Sequence, residues 1–157
     1  MLINTLFRYS IILALIGLSG CAVNPVTGES DFVLMSEDDE IAIGRQNHAK
    51  IIQQYGFYDA PALQEYVQKV GDKLAGISHR KNLIFRFTVL DSNEINAFAL
   101  PGGYIYITRG LIAYLSNEAE LAAVLGHEIG HVTARHAVRQ QSASAATGLL
   151  AAILASQ

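Results

Sequence analysis

Asn117-Glu118-Ala119-Glu120-Leu121-Ala122-Ala123-Val124-Leu125-Gly126-His127-Glu128-Ile129-Gly130-His131 begins with a helix start and ends on two histidines one turn apart. Asn117 and Glu120 form a capping box, and the spacing predicts one long helix from about Glu118 to Gln141. At about 100° per residue, His127 and His131 lie about 40° apart on one face, so both imidazoles can reach a single ion. Glu128 projects from the adjacent flank, where a carboxylate can take a proton from water polarised by that ion without ligating it. His127 and His131 are therefore the candidate metal ligands and Glu128 the candidate catalytic base. With five histidines and eight glutamates in 157 residues, this HExxH pattern arises by chance in only about 0.8% of such chains, so coincidence is a poor account of it. Gly130 costs about 1 kcal/mol in a helix interior relative to alanine, which points to space kept open beside the histidines.

A zinc site that keeps a catalytic position open needs a third protein ligand. Residues 129–157 contain no Asp or Glu, and His136 is the one histidine downstream. On an uninterrupted helix His136 stands about 140° from His131 and about 180° from His127, so it is expected to face away. Ala134 and Ala137 occupy the positions where a metzincin carries glycine and histidine, which excludes that subclass. The apolar run from Gly148 to Ala155 stops at Ser156-Gln157 without a helix cap. The catalytic domain is accordingly expected to be incomplete at its C-terminus, with the third ligand of one Zn2+ per chain lying beyond Gln157.

Upstream, Ser36 with Asp39 forms another capping box, and the acidic run Glu37-Asp38-Asp39-Glu40 favours the positive end of a helix dipole over a metal site. That helix is predicted to run to about Tyr55, with His48 as a partly buried packing residue. A second helix is predicted with Asp59 as cap, Pro61 in its first turn and an end near Gly76. From Leu83 the period changes to two and predicts a strand to Leu90; Asn96–Leu100 and Tyr104–Thr108 follow as strands around a Pro101-Gly102-Gly103 turn. Gly110 to Leu115 is read as a short helix and Ser142 to Thr147 as a loop. Strands clustered together, not alternating with helices, give an α+β fold in which a small sheet lies next to the HExxH helix.

The N-terminus reads as an address. Arg8 precedes an apolar stretch from Ile11 to Leu18, followed by the small residues Ser19 and Gly20, and residues 1–20 are predicted to be a signal peptide. Leu18-Ser19-Gly20-Cys21 resembles the bacterial lipobox, which implies lipidation at Cys21; residues 21–35, with Asn24-Pro25 and Thr27-Gly28, read as a tether, and residues 36–157 as the catalytic domain. Ala22, where inner-membrane lipoproteins carry aspartate, implies a lipid anchor at the periplasmic face of the outer membrane of a Gram-negative bacterium. A mean hydropathy of +0.28 does not imply a membrane span, because neither apolar run approaches the roughly 20 residues a bilayer needs. With 51% hydrophobic and 16% charged residues the chain is not a disordered polymer, and a net charge of -3 leaves no basic surface for nucleic acid. The single cysteine excludes an internal disulfide and a cysteine-based zinc cluster.

Taken together, Asn24-Pro25-Val26-Thr27-Gly28, Phe32-Val33-Leu34-Met35-Ser36, Asn96-Ala97-Phe98-Ala99-Leu100-Pro101-Gly102-Gly103-Tyr104-Ile105 and His127 through His136 resemble family 48 of the zinc metallopeptidases. This is the family of the CAAX prenyl protease and the HtpX heat-shock protease, and the likeness is strongest to the N-terminal portion of its periplasmic, BepA-like lipoproteins. The resemblance implies a zincin-like gluzincin, with zinc held by His127, His131 and a glutamate on a later helix. Its implied substrates are misfolded or stalled envelope polypeptides, and its implied partners include envelope-assembly machinery. It also implies that the strand before the active helix pairs with the substrate backbone, making Asn96, Ala97, Phe98, Ala99, Gly102 and Gly103 the candidate substrate-binding residues. An edge of this kind offers main-chain hydrogen bonds that ignore side-chain identity. The alternative is a non-catalytic periplasmic chaperone or client-binding lipoprotein with an incomplete metal site, which would hold clients without turnover and be indifferent to a chelator.

Overall fold

The computed structural model describes residues 21–23, 26, 28, 30–33 and 35–155. The signal-peptide stretch 1–20, Asn24, Pro25, Thr27, Glu29 and Leu34 of the tether, and Ser156-Gln157 lie outside these residues. Part of the stretch read as a tether is a short antiparallel ribbon, β1 (Cys21–Val23) with β2 (Ser30–Phe32). Strands of three residues are too short to show a period, which is why no periodicity marked them.

Helix α1 (Glu37–Tyr55) starts at Ser36, whose hydroxyl accepts from the Asp39 amide at 3.2 Å while the Asp39 carboxylate accepts from the Ser36 amide at 3.1 Å. Both halves of the predicted capping box are therefore formed. Helix α2 (Pro61–Ala75) departs from expectation at its start, where the cap is Ala60 and not Asp59. Pro61 takes the first helical position, which leaves Asp59 one residue too early to reach the first-turn amides.

Strands β3 (Arg86–Leu90), β4 (Ala97–Leu100) and β5 (Tyr104–Thr108) form a sheet of order β3-β5-β4, with β3 parallel and β4 antiparallel to β5. Strand β3 begins three residues later than predicted. Its first rung joins the Arg86 amide to the Gly103 carbonyl at 2.8 Å, and before that point β5 has not begun. Gly102 and Gly103 make the turn with φ of 76° and 86°, a region open to glycine and costly to side chains that carry Cβ.

Every residue of β5 is buried, and its side chains alternate between two layers. Ile105 and Ile107 join Val67 and Val70 of α2 and Phe87 and Val89 of β3 on one face, together with Leu121, Leu125 and Ile129 of the helix described next. Tyr104 and Tyr106 face Ile51, Ile52 and Tyr55 of α1 on the other. Each large aliphatic side chain withdrawn from water in this way stabilises by roughly 1.5–3 kcal/mol. His48 is a half-buried packing residue, as predicted: it lies against the Tyr104 and Tyr106 rings and shares a 2.9 Å hydrogen bond with the Tyr106 hydroxyl. Burial, then the neighbouring Tyr104, pushes the Tyr106 phenol well above its ordinary pKa.

After the short α3 (Arg109–Tyr114), α4 (Glu118–Thr133) begins at Asn117, whose side chain accepts from the Glu120 amide at 3.0 Å. The expected single helix to Gln141 is broken at Ala134-Arg135, where Arg135 adopts φ 55°. The chain restarts as α5 (His136–Ala155), so Ser142 to Thr147, read as a loop, is helical. Among the described residues no helix is long and apolar enough to cross a membrane.

Candidate metal centre

The His-Glu pair and the second histidine lie in the C-terminal half of α4, whose buried stripe Leu121, Leu125, Ile129 and Val132 is pinned to the core. That packing fixes the rotation of the helix, so His127 is left exposed and His131 half-exposed. Their Nε2 atoms converge to 2.9 Å, with ring centroids 4.5 Å apart and the planes at 87°. One ion can reach both nitrogens, and the donor set, two neutral imidazoles, suits zinc. No group of three or more His, Cys, Asp or Glu that could hold a metal occurs among the described residues.

Glu128 is buried, 8% exposed, and lines two clefts with His127. The larger has a volume of about 500 Å3 and runs between β4 and the helix break, bounded by Ala97, Phe98 and Ala99 on one side and His131 and His136 on the other. The smaller is walled by Ile95, Ala97, Leu111 and Val124. Among the described residues the Glu128 carboxylate has no hydrogen bond or ion pair. Gly130 leaves open space: a Cβ there would meet nothing within 4 Å, so its absence of side chain is not required by the chain's own packing.

Strand β4 is an edge. The Thr108 amide donates to the Asn96 carbonyl at 3.0 Å, so Asn96 bonds towards β5. By the alternation of an antiparallel ladder, Phe98 and Leu100 do the same, while Ala97 and Ala99 direct their main-chain groups outward. Of the substrate-binding residues suggested by resemblance, Asn96, Ala97, Phe98 and Ala99 border the clefts. Gly102 and Gly103 do not. A Cβ on Gly102 would meet Ile41 Cα at 2.5 Å, and one on Gly103 would meet the Ile84 carbonyl oxygen at 2.5 Å, so both serve the turn and its packing.

Two features behind the centre went unread in the sequence. His136, expected to face away, has its Nδ1 2.7 Å from the Nδ1 of His131, because the break at Arg135 reverses the extrapolated rotation. Glu40, read as part of a helix start, is 1% exposed and forms a buried ion network. It accepts from Arg80 at 2.8 Å and is ion-paired with Arg135, while Arg80 also bonds to Glu37 at 2.6 Å. The Glu40–Arg135 contact is one of charge and not of aligned hydrogen bonding, and Arg135 Nε is left without an acceptor. Burial works against the Arg80 charge, but the hydrogen bonds to Glu40 and Glu37 outweigh it and hold its pKa above the usual value. Arginines far along the chain carry no local signal of such pairing.

The sequence profile of peptidase family M48 matches residues 61–157. A beta-barrel assembly-enhancing protease of Yersinia pestis is 38% identical over 119 residues, covering 73% of this chain and 24% of that protein. Its counterpart in Escherichia coli K12 is 39% identical over 79 residues, 50% of this chain and 16% of the relative. The mitochondrial metalloendopeptidase OMA1 of Schizosaccharomyces pombe is 29% identical over 119 residues, 74% and 35% respectively. The chain thus spans about a quarter or less of the length of these bacterial relatives.

Proposed function

The chain belongs to peptidase family M48, and from that premise we propose that it is a zinc-dependent endopeptidase of gluzincin type acting on misfolded or stalled envelope polypeptides. The observation that carries this reading is the approach of the His127 and His131 Nε2 atoms to 2.9 Å beside a Glu128 that no other group engages. His127 and His131 would hold the zinc, with a third protein ligand from beyond Gln157. Zinc bound there would supply a Lewis acid that polarises the scissile carbonyl and brings the pKa of water down towards about 7.

The chain's own residues do the rest. The outward main-chain groups of Ala97 and Ala99 take the substrate as an added strand, which lays its backbone along the cleft without selecting side chains. Glu128 takes the proton of the attacking water on its carboxylate and delivers it to the leaving amine. The smaller cleft sets the apolar side chains of Ile95, Leu111 and Val124 beside Glu128.

Residues 1–20 direct export, Cys21 carries the lipid, residues 21–35 lead from it, and residues 36–157 form the N-terminal part of the catalytic domain. On this reading the protein sits at the periplasmic face of the outer membrane of a Gram-negative bacterium, and the name of its bacterial relatives, beta-barrel assembly-enhancing protease, supports envelope-assembly machinery as a partner. Metal analysis and proteolysis test the proposal. Stoichiometric zinc in the full chain, together with cleavage abolished by Glu128→Gln, is the expected result; metal-free protein, or undiminished cleavage by that variant, would overturn it.

A further inference from the structure

His131 has each of its ring nitrogens assigned to a different neighbour. Nε2 faces His127 at 2.9 Å, and Nδ1 faces His136 Nδ1 at 2.7 Å, the His131 and His136 rings being tilted by 68° with centroids 4.9 Å apart. A regular helix could not bring His136 there, since five residues carry it about 140° around the axis. The contact exists because Arg135 takes φ 55°, a conformation that side chains with a Cβ rarely adopt and that must be held from outside.

The restraint is visible on both sides of the break. Arg135 donates to the Met35 carbonyl at 2.7 Å and is ion-paired with buried Glu40. The other arginine on that carboxylate, Arg80, also donates to the Val132 carbonyl at 3.3 Å, in the last turn of α4. One buried carboxylate therefore ties together the end of α4 and the residue that starts α5. A turn so heavily restrained, and whose product is a contact between two imidazoles, calls for a reason beyond helix packing.

We infer that His136 is a positioning residue of the metal centre: it accepts a hydrogen bond from His131 Nδ1–H, which fixes the ring and leaves the Nε2 lone pair turned towards the ion shared with His127. This rests on the metal-centre reading above and adds a role for a histidine outside the HExxH pattern. Two nitrogens 2.7 Å apart share one proton, and only the arrangement with that proton on His131 Nδ1 leaves a neutral His131 with a bare Nε2 for an ion. Metal-binding histidines are ordinarily oriented in this way through their second nitrogen, by a carboxylate, a carbonyl or water; here a third imidazole does it. His136 does not compete for the ion, because the nitrogen it engages lies on the far side of the His131 ring from Nε2.

The test uses the full chain with and without zinc. Long-range proton–nitrogen spectra of the metal-free protein should show His131 as the Nδ1–H tautomer in the wild type and as a mixture in His136→Ala. Competition with a chromophoric chelator should show zinc bound about 10–100-fold more weakly by His136→Ala. His136→Asn, whose side-chain carbonyl occupies the place of Nδ1, should recover most of the loss and guards against an alanine variant that fails to fold. Equal zinc affinity in wild type and His136→Ala, or a wild-type His131 protonated on Nε2, overturns the inference. A wild type that takes up no zinc, yet has the His131 tautomer dependent on His136, supports the positioning contact and sinks the metal-centre reading instead.

Discussion

Glu40 and Glu128 are both buried, 1% and 8% exposed, both on helices, and both border the same cleft. Glu40 is matched by Arg80 and Arg135, so its oxygens are committed to holding α1, α2's following loop and the α4–α5 break together. Glu128 has no cationic partner among the described residues and stands beside the converging histidines. Burial of a carboxylate therefore says little by itself. What distinguishes structure from chemistry is whether the carboxylate already faces cations.

Four substitutions can break or sharpen that contrast. Glu128→Gln should lower cleavage of an unfolded reporter polypeptide by about 10²–10⁴-fold while leaving zinc content and the urea unfolding midpoint in place; a large drop in the midpoint would show that Glu128 is structural after all. Glu40→Ala should instead lower the unfolding midpoint and, by releasing Arg135, weaken zinc binding with it. It takes the ion-pair partner from half-buried Arg135 and one of the two carboxylates from buried Arg80, which keeps Glu37, and should destabilise the fold by about 3 kcal/mol in urea titration. A smaller effect comes from the other half-buried histidine: His48→Phe leaves the Tyr106 hydroxyl, 0% exposed, without its partner and should cost about 1–3 kcal/mol without altering zinc affinity.

The smallest effect is in acid. The Ser36 hydroxyl, then its amide, hold the Asp39 carboxyl below the usual aspartate range. A carboxyl depressed in the folded state contributes stability above its unfolded pKa, and that contribution disappears as pH falls through the lower folded value. Asp39→Asn should therefore flatten the acid limb of a stability-versus-pH curve, and an unchanged limb would mean that the capping box is not populated in solution.

The parts of the centre legible in the sequence are those specified by local rules. The caps at Ser36 and Asn117 are chemical signals for a helix start, and the one-turn separation of His127 and His131 converts directly into convergent nitrogens. Strand β5, with every residue buried, was still found because its β-branched and aromatic residues lie between turn glycines. The helix break was not legible, since neither Ala134 nor Arg135 is a helix-breaking residue type. It is imposed by Glu40 and Met35, almost one hundred positions earlier in the chain. Ser142 to Thr147 misled for a related reason: serines and alanines fit a helix as well as a loop, and composition alone does not separate them.

The close seating of Gly102 on Ile41 joins the turn of the docking edge to the helix turn that bears Glu40, and Gly44 repeats it one turn on, where a Cβ would collide with the Pro101 carbonyl oxygen and the Tyr104 ring. On the proposed function, recognition and metal geometry share a single mounting. A side chain wedged into that seam would jam substrate capture and loosen the zinc together, so heat-sensitive alleles that lose both properties at once are to be sought at these two glycines, well away from any reacting atom.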